Sequence, residues 1–210
     1  RDTLVTQVDN RPPGISFIMP VYNGAAFIPL SLPPLIAMVQ RGEILEVIVI
    51  DDGSSDDSKQ IAQEMGAKVL SSGGRIGPGG ARNQAAEIAL GDILWFVDAD
   101  VVVHEDAALN LHRGFDDLQI VAVFGSYDTN PPARNFFSQY KKMVHHYYHQ
   151  RASSEARTFW SGCGAVRRIA FLDVGGFDVE RYQYPSIEDI ELGTRLIERG
   201  GRVLLHRDVQ

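Results

Sequence analysis

The chain has 210 residues, of which 44% are hydrophobic and 22% are charged, a composition that is ordinary for a globular protein. Its formal net charge of −7 argues against a nucleic-acid-binding protein, because such proteins usually carry a basic excess on one face. The single cysteine, Cys163, excludes an internal disulfide and a metal site built from cysteines. No apolar run has the length of a membrane span, and no signal peptide is present.

The two ends of the sequence are typical of a piece of a longer protein. The chain begins with Arg1 rather than methionine, and it stops at Gln210 shortly after the apolar run Val203–Leu205. Because a single cysteine fits a reducing compartment, we expect a cytoplasmic domain, or one at the cytoplasmic face of a membrane if the parent protein carries spans elsewhere.

The first half of the chain alternates predicted strands with predicted helices after a polar lead-in at residues 1–14. Short apolar runs predict strands at Ile15–Met19, Val47–Ile50, Lys68–Leu70 and Ile93–Val97. Helical patterns between them lie at Phe27–Gln40, Ser55–Met65 and Ala81–Leu90. This alternation predicts right-handed βαβ units and a mostly parallel sheet, and such sheets bind ligands beyond the carboxyl ends of their strands.

The second half is less regular, but residues 15–210 still fit one continuous α/β domain. Helices are expected at Asp106–Asp117 and Ile187–Arg199, and strands at Ile120–Phe124, Phe159–Val166 and Arg202–His206. Neither repeats nor a low-complexity tract divides the chain.

The first strand ends in Pro20, Val21, Tyr22 and Asn23. An aromatic ring just past a buried strand offers a flat face for a nucleotide base, and the neighbouring backbone offers hydrogen bonds to the edge of that base. The alternative is that Tyr22 only covers the core.

The second strand ends in Asp51, Asp52, Gly53 and Ser54. A carboxylate at this position suits a neutral N–H donor such as the imide of uracil. The alternative is structural, since Ser54 with Asp57 forms a capping-box pattern for the next helix and Asp-Gly is common in turns.

The glycine-rich segment Gly73–Gly80 leads into the third helix. Glycine allows the backbone to approach a ligand closely, and a helix N-terminus favours anions. The segment matches neither the dinucleotide-binding pattern nor the Walker pattern. Arg75 and Arg82 supply positive charge beside Gly79, and this favours contact with a ligand over a plain loop.

The fourth strand is followed by Asp98-Ala99-Asp100. In an extended chain, residues two apart point to the same side, so the two carboxylates repel each other unless a proton or a cation lies between them. Mg²⁺ or Mn²⁺ held by one or two carboxylates and by phosphate oxygens relieves this repulsion. The alternative is a solvated turn.

Near the end of the chain, Glu188 and Asp189 stand at the start of a predicted helix. A carboxylate at this place suits a general base that takes a proton from a hydroxyl group. Ser186 with Asp189 also forms a capping-box pattern, and the two roles are compatible. His206 is either an additional metal ligand or a structural histidine.

The order of these motifs, rather than any single one, resembles the GT-A glycosyltransferases of family 2. The motifs are Pro20–Asn23, Asp51–Asp56, Gly77–Asn83, Asp98–Asp100 and Glu188–Asp189. The resemblance extends from about Ile15 to His206. It implies a Rossmann-like GT-A fold, in which helices flank a mostly parallel sheet and the second half forms an acceptor-side subregion.

The resemblance also implies a reaction, the metal-dependent and inverting transfer of a sugar from a nucleoside diphosphate donor to an acceptor. UDP is the favoured carrier, because a carboxylate suits the uracil imide. The acceptor is a saccharide hydroxyl or a lipid-linked phosphate, and the expected cofactor is Mg²⁺ or Mn²⁺. Such transfer belongs to polysaccharide, glycolipid or cell-envelope synthesis.

By the same resemblance, the donor lies at the edge of the sheet, with Asp52 at the base and Asp98 near both the ribose and the metal. The residues expected to bind the nucleotide sugar are Pro20, Val21, Tyr22, Asn23, Asp52, Arg75, Gly79, Arg82 and Asp98. Asp100 is expected to bind the metal directly, together with Asp98 and with His206 as a further ligand.

On the acceptor side, Asp189 resembles the catalytic base of the family, with Glu188 beside it. Trp160, Ser161 and Gly162 fall where these enzymes place a wall of the acceptor site. The aromatic and basic segment 135–151 favours an amphipathic helix over the acceptor side, and the alternative is contact with a membrane surface or a lipid phosphate.

Two other functions fit parts of the pattern. A nucleotidyltransferase also combines a glycine-rich loop with metal-binding carboxylates, but its loop usually follows the first strand, where this chain has Val21-Tyr22-Asn23. A non-catalytic module that binds nucleotide sugars is the second alternative.

Overall fold

The computed structural model describes residues 12–125, 155–182 and 187–209. Its strands are β1 (Ile15–Val21), β2 (Glu46–Asp51), β3 (Lys68–Ser71), β4 (Ile93–Val97), β5 (Ile120–Gly125), β6 (Glu155–Ala156), β7 (Cys163–Arg167) and β8 (Arg202–His206). Its helices are α1 (Ile28–Gln40), α2 (Ser58–Glu64), α3 (Gly77–Ile88), α4 (Ala107–Gly114), α5 (Arg168–Asp173) and α6 (Glu188–Glu198). The predicted segment 135–151 lies outside the described residues. None of the described helices is long and apolar enough to cross a membrane.

The strands form one sheet in the order β3-β2-β1-β4-β7-β5-β8-β6. Strands β1 to β4 pair in parallel, and β7 is inserted antiparallel between β4 and β5. Strand β8 is parallel to β5. The predicted mostly parallel sheet is therefore confirmed, and the carboxyl ends of β1, β2 and β4 lie side by side at one edge.

Helices cover both faces of this sheet, because successive strand residues point to opposite sides. On one face, Phe17 and Trp95 pack edge to face with ring centroids 5.2 Å apart, beneath apolar side chains of α1 and α4. On the other face, Ile18 and Phe96 pack against α3, α5 and α6. Burial on both faces explains why the strands appear in the sequence as unbroken apolar runs.

Helix α3 begins at Gly77, four residues earlier than predicted. Gly77-Pro78-Gly79-Gly80 forms its first turn rather than a loop, and a proline is tolerated there because the first turn leaves its N–H groups unpaired. A Cβ atom at Gly79 would lie 3.4 Å from Cβ of Phe177, which is an ordinary contact distance, so this turn of α3 packs against the segment that contains Phe177. The N-terminus of α3 therefore lies four residues nearer to Arg75.

The predicted capping box of Ser54 and Asp57 is wrong. Helix α2 begins at Ser58, and Asp57 makes no capping hydrogen bond through its side chain. Oγ of Ser54 instead accepts the backbone N–H of Asn23 at 2.9 Å, and Oδ1 of Asp56 accepts the N–H of Ser58 at 3.1 Å. The polar residues after β2 therefore hold the loop after β1.

The second half differs from expectation in three elements, one of which is the two-residue strand β6, which was not predicted. The strand predicted at Phe159–Val166 is shorter, Cys163–Arg167, and the helix α5 that follows it was not expected. Arg168 fixes the start of α5, since its Nε and Nη2 donate to the carbonyls of Ala86 and Glu87 at 3.2 and 3.0 Å. These contacts are tertiary, and no local pattern in the sequence predicts them.

Cys163 is expected to react with iodoacetamide at pH 8 at least about a hundredfold more slowly in the native protein than in urea. Its side chain is buried in β7, and this burial raises the pKa of the thiol to about 12, so the reactive thiolate is scarce. Mass spectrometry of the alkylated protein measures the two rates. Equal rates in the native and unfolded states would contradict the packing of β7.

Candidate active site

Two loops at the carboxyl edge of the sheet are joined through Asn23. Its backbone N–H donates to Oγ of Ser54 at 2.9 Å, and its Oδ1 accepts the N–H of Ser55 at 2.8 Å. Asn23 has a φ angle of +51°, a left-handed conformation that asparagine tolerates better than most residues. The loop after β1, which carries Tyr22, is thereby fixed against the loop after β2.

Asp52 is buried and receives three hydrogen bonds from within the protein. Its Oδ1 accepts Oγ–H of Ser72 at 2.9 Å and the N–H of Ile76 at 2.8 Å, and its Oδ2 accepts the N–H of Gly77 at 2.9 Å. An anion at this position stabilises the N-terminus of α3. A carboxylate has about four acceptor positions, so one remains for an additional donor such as a base.

Tyr22 and Arg75, both predicted to bind the nucleotide, contact each other. The guanidinium carbon of Arg75 lies 3.9 Å from the centroid of the Tyr22 ring, which is a cation–π contact. The tyrosine is 43% exposed at the edge of the sheet. A base that stacks on this face of the ring must therefore displace the guanidinium.

Arg82 of α3 is buried and reaches the end of β4. Its Nη2 lies 2.5 Å from Oδ1 of Asp98, and the exposed side-chain fractions are 4% for the arginine and 45% for the aspartate. Its guanidinium carbon lies 5.6 Å from the ring centroid of Phe177. Nε of Arg82 is buried and has no hydrogen-bond partner in the part of the chain that the structure describes. The arginine thus places a fixed positive charge beside the Asp-x-Asp motif.

The pKa of Asp98 is raised, and the main cause is the partial burial of its carboxyl group, which disfavours the charged form. The positive charge of Arg82 lowers the pKa, whereas the negative charges of Asp100 and Glu188 raise it. The two carboxylates of the motif are therefore close enough to repel each other, and Asp100 is exposed to solvent. Within residues 12–125, 155–182 and 187–209, no three His, Cys, Asp or Glu side chains converge on a possible metal position.

Asp189 lies in the first turn of α6, where two backbone N–H groups bind its carboxylate. Oδ2 accepts the N–H of Ser161 at 3.2 Å, and Oδ1 accepts the N–H of Ile190 at 2.8 Å. Burial raises the pKa of Asp189 most strongly, the two N–H groups lower it, Glu188 raises it and Arg82 lowers it. A carboxylate whose pKa is raised is a better proton acceptor than an ordinary one.

The segment Trp160–Gly162 connects the two acidic regions. The N–H of Ser161 binds Asp189, and the carbonyl of Gly162 accepts the N–H of Asp98 at 3.1 Å. A Cβ atom at Gly162 would lie 2.8 Å from the indole of Trp160, so the tryptophan can take this position only beside glycine. The segment predicted for the acceptor side therefore lies between the Asp98–Asp100 motif and Asp189, the candidate base.

His206 lies apart from Asp98 and Asp100. Strand β8 is three positions from β4 in the sheet, a separation of about 14 Å at about 4.8 Å per strand. Its ring packs near Gly114 of α4, and burial lowers the pKa of the imidazole. The structure thus gives no support to a metal-binding role for His206, because the side chain belongs to the packing between α4 and β8.

A cleft lies at the start of α3, and one of its walls was not predicted from the sequence. Glu188 lines this cleft together with the first turn of α3 and with Phe177, Asp178, Val179 and Tyr182. Gly175 and Gly176, which precede these residues, have φ angles of +82° and +68°. A Gly-Gly pair after a helix is a turn signal, so the turn was detectable but its place beside α3 was not.

The sequence profile of Glycosyl transferase family 2 matches residues 16–175, which is 160 of the 210 residues. The chain belongs to this family. The family 2 domain therefore carries the Asp-x-Asp motif within the matched range, and Asp189 lies just beyond it. Membership of this family decides against a nucleotidyltransferase.

Curated relatives support the assignment. The domain is 27% identical to a poly-beta-1,6-N-acetyl-D-glucosamine synthase of Staphylococcus aureus over 204 residues, 90% of this chain and 47% of the synthase. It is 35% identical to a poly(ribitol-phosphate) beta-glucosyltransferase of Bacillus spizizenii over 108 residues, 47% of this chain and 17% of that protein. The chain thus spans less than two thirds of the length of these relatives.

Solved structures share the fold of the family 2 domain. A mannosyltransferase of Pyrobaculum calidifontis, in complex with GDP-Man and Mn²⁺, has a TM-score of 0.74 at 21% identity and covers 95% of this chain and 56% of its own. TarS of S. aureus, in complex with UDP-GlcNAc, has a TM-score of 0.71 at 21% identity over 93% of this chain and 56% of its own. At this identity the similarity establishes a GT-A fold and leaves substrates open.

Proposed function

We propose that the family 2 domain transfers a sugar from a nucleoside diphosphate to an acceptor hydroxyl or a lipid-linked phosphate, with inversion at the anomeric carbon. The observation that carries this proposal is the shared position of three groups from different elements. Arg82 of α3 lies against Asp98 at the end of β4, and its charge also lowers the pKa of Asp189 on α6. Asp98 and Asp189 are also bound by neighbouring residues, Gly162 and Ser161, which supports a donor-binding edge and a proton acceptor close to each other.

The donor fits the edge formed by the ends of β1 and β2 and the start of α3. Tyr22 offers its ring to the base, with Pro20, Val21 and Asn23 shaping the loop, and Asp52 retains one acceptor position for an N–H donor. UDP is the favoured carrier because the uracil imide has such a donor. The first turn of α3 at Gly79, together with Arg75 and Arg82, supplies positive potential for the diphosphate.

Asp98 and Asp100 fit a divalent cation such as Mg²⁺ or Mn²⁺. They offer two carboxylates directly after β4, and Mg²⁺ usually takes one or two carboxylates and completes its shell with water and substrate phosphates. Burial raises the pKa of Asp98 most strongly and the charge of Asp100 raises it further, and a cation between the pair would relieve this second effect. When bound, the ion neutralises charge on the departing diphosphate.

Asp189 acts as the base, and the negative charge of Glu188 beside it helps to raise its pKa. As the acceptor oxygen attacks the anomeric carbon, Asp189 takes the hydroxyl proton, the new C–O bond forms, and the bond to the diphosphate breaks with its electrons leaving on the nucleoside diphosphate. The N–H groups that bind Asp189 fix the direction of its lone pairs. Trp160, Ser161 and Gly162 form the adjacent wall for the acceptor.

Nucleotide sugars are expected to raise the thermal unfolding midpoint of the domain by about 5–10 °C at about a hundred times the Kd that applies with Mn²⁺ or Mg²⁺, and by less in EDTA. Thermal unfolding is measured with UDP-glucose, UDP-N-acetylglucosamine, GDP-mannose and dTDP-glucose, each with metal and with EDTA. Release of nucleoside diphosphate is then followed with saccharides and with polyprenyl phosphate as acceptors. AMP is the matched control. No shift with any donor would contradict the proposal.

A further inference from the structure

The turn Val174–Phe177 is held against helix α3 by one side chain. Nδ2 of Asn83 donates to the carbonyl of Phe177 at 2.8 Å, and the N–H of Phe177 donates to Oδ1 of Asn83 at 2.9 Å. One amide side chain thus satisfies both backbone groups of a residue that lies 94 positions further along the chain. Movement of the turn away from α3 would break both bonds.

The same turn is held against helix α6 by Arg195. Nη1 donates to the carbonyl of Val174 at 2.5 Å, and Nη2 donates to the carbonyl of Gly176 at 2.7 Å. Glu191, one helical turn earlier, accepts Nε and Nη2 at 2.7 Å each. Such a two-point pair fixes the plane of the guanidinium, so Arg195 holds the turn in one orientation relative to α6.

The turn is also shaped for these contacts. Gly176 has a φ angle of +68°, and a Cβ atom at this position would lie 2.5 Å from Oδ1 of Asn83. The ring of Phe177 is buried against Phe96 with centroids 5.6 Å apart, and it supports the guanidinium of Arg82. The turn therefore connects α3, which carries Arg82, to α6, which carries the candidate base.

We infer that Asn83 and Arg195 are positioning residues for sugar transfer, because they fix the spacing between the donor-side helix α3 and the base-carrying helix α6. This inference rests on the proposed function, since Asp189 must be the base for its distance from the donor to matter. Misplacement of a reacting group by about 1 Å costs on the order of a hundredfold in rate. Donor affinity depends on Asp52, Arg75 and Arg82. The contacts of these side chains described above do not involve Asn83 or Arg195, so loss of either residue removes no donor contact.

Asn83→Ala is expected to lower kcat for nucleoside diphosphate release in the presence of acceptor by about 10- to 100-fold, and to leave donor KM within about threefold of wild type. In an Asp189→Asn background the same substitution should lower kcat no further, because no base remains to be misplaced. Single-turnover assays with radiolabelled donor, run well below the unfolding midpoint of each variant, measure these rates. A purely structural role would lower kcat equally in both backgrounds.

Arg195→Lys is an independent arm, since it retains the positive charge but cannot form the two-point pair with Glu191. Glu87→Ala on α3 and Arg199→Lys, at the residue that directly follows α6, are matched controls at exposed positions, and both should keep the wild-type kcat. Wild-type kcat in Asn83→Ala and Arg195→Lys, or equal losses in both backgrounds, would overturn the inference while leaving the proposed function intact. Absence of transfer by the wild-type domain would instead remove the proposed function and this inference with it.

Discussion

Replacement of Asp189 by asparagine is expected to slow sugar transfer about a thousandfold and to leave nucleotide binding unchanged. An amide accepts no proton, and a positioned general base contributes roughly 10²–10⁴ in rate. The amide oxygen of the asparagine can still accept the N–H of Ser161, and the N–H of Ile190, at the exposed start of α6, can turn to water, so the local fold should persist. Steady-state kinetics and isothermal titration with UDP and Mn²⁺ measure the two effects.

The pH dependence of the rate gives a second readout of this residue. Burial raises the pKa of Asp189, and the base works only when it is deprotonated. Wild-type kcat should therefore fall as the pH is lowered through that raised pKa, and the Asp189→Asn variant should lack this decline.

Glu198→Gln, at the exposed end of α6, is the matched control for Asp189→Asn, because it also converts a carboxylate to an amide on the same helix. It should keep both the rate and the pH profile of the wild type. Unchanged transfer in Asp189→Asn would remove the residue from the mechanism. If neither protein transfers a sugar but both bind nucleotide, the domain is a non-catalytic binding module.

The substitution Asp100→Asn is expected to weaken nucleotide binding about tenfold or more when Mn²⁺ or Mg²⁺ is present, which corresponds to about 1.4 kcal/mol. In EDTA the affinity should equal that of the wild type, because the carboxylate then contributes no metal contact. Asp100 is exposed, and substitutions at such positions usually change stability by less than about 0.5 kcal/mol. Titration calorimetry with UDP and GDP, with and without metal, makes the comparison.

Asp116→Asn serves as the control for Asp100→Asn, because Asp116 is an exposed aspartate after α4 and remote from the ends of β1, β2 and β4. Its affinity should match the wild type under both conditions. An equal loss of affinity in metal and in EDTA would show that Asp100 acts on the nucleotide through something other than a cation.

For Asp52 and Arg82, the motifs alone predicted the location in the fold but not the contacts. Their positions, after a strand and in a helix that follows glycines, predict that both lie at one edge of the sheet. The contacts of Asp52 with Ile76 and Gly77 span 24 and 25 residues of sequence. Such contacts depend on the tertiary arrangement of the loop after β2 and the segment before α3. A local sequence pattern contains no information on that arrangement.

The sequence by itself determined the alternation of strands and helices and the edge at which the chemical groups gather. Buried parallel strands must be apolar on both faces, so β1, β2 and β4 appear as continuous apolar runs that end in polar residues. The Asp-x-Asp motif and Asp189 were identifiable for the same reason, since a charged group next to a buried element is conspicuous.

Only the tertiary structure decided which partners those groups meet. The start of α3 at Gly77 contradicts helix propensity, because glycine and proline are weak helix formers, and it is stabilised by the carboxylate of Asp52 from another loop. Asn83 of α3 and Arg195 of α6 likewise hydrogen bond to the turn Val174–Phe177, so these contacts join three separate segments of the chain. Hydrogen bonds of this kind depend on distances between elements, and those distances are set by packing of the whole domain rather than by neighbouring residues in the chain.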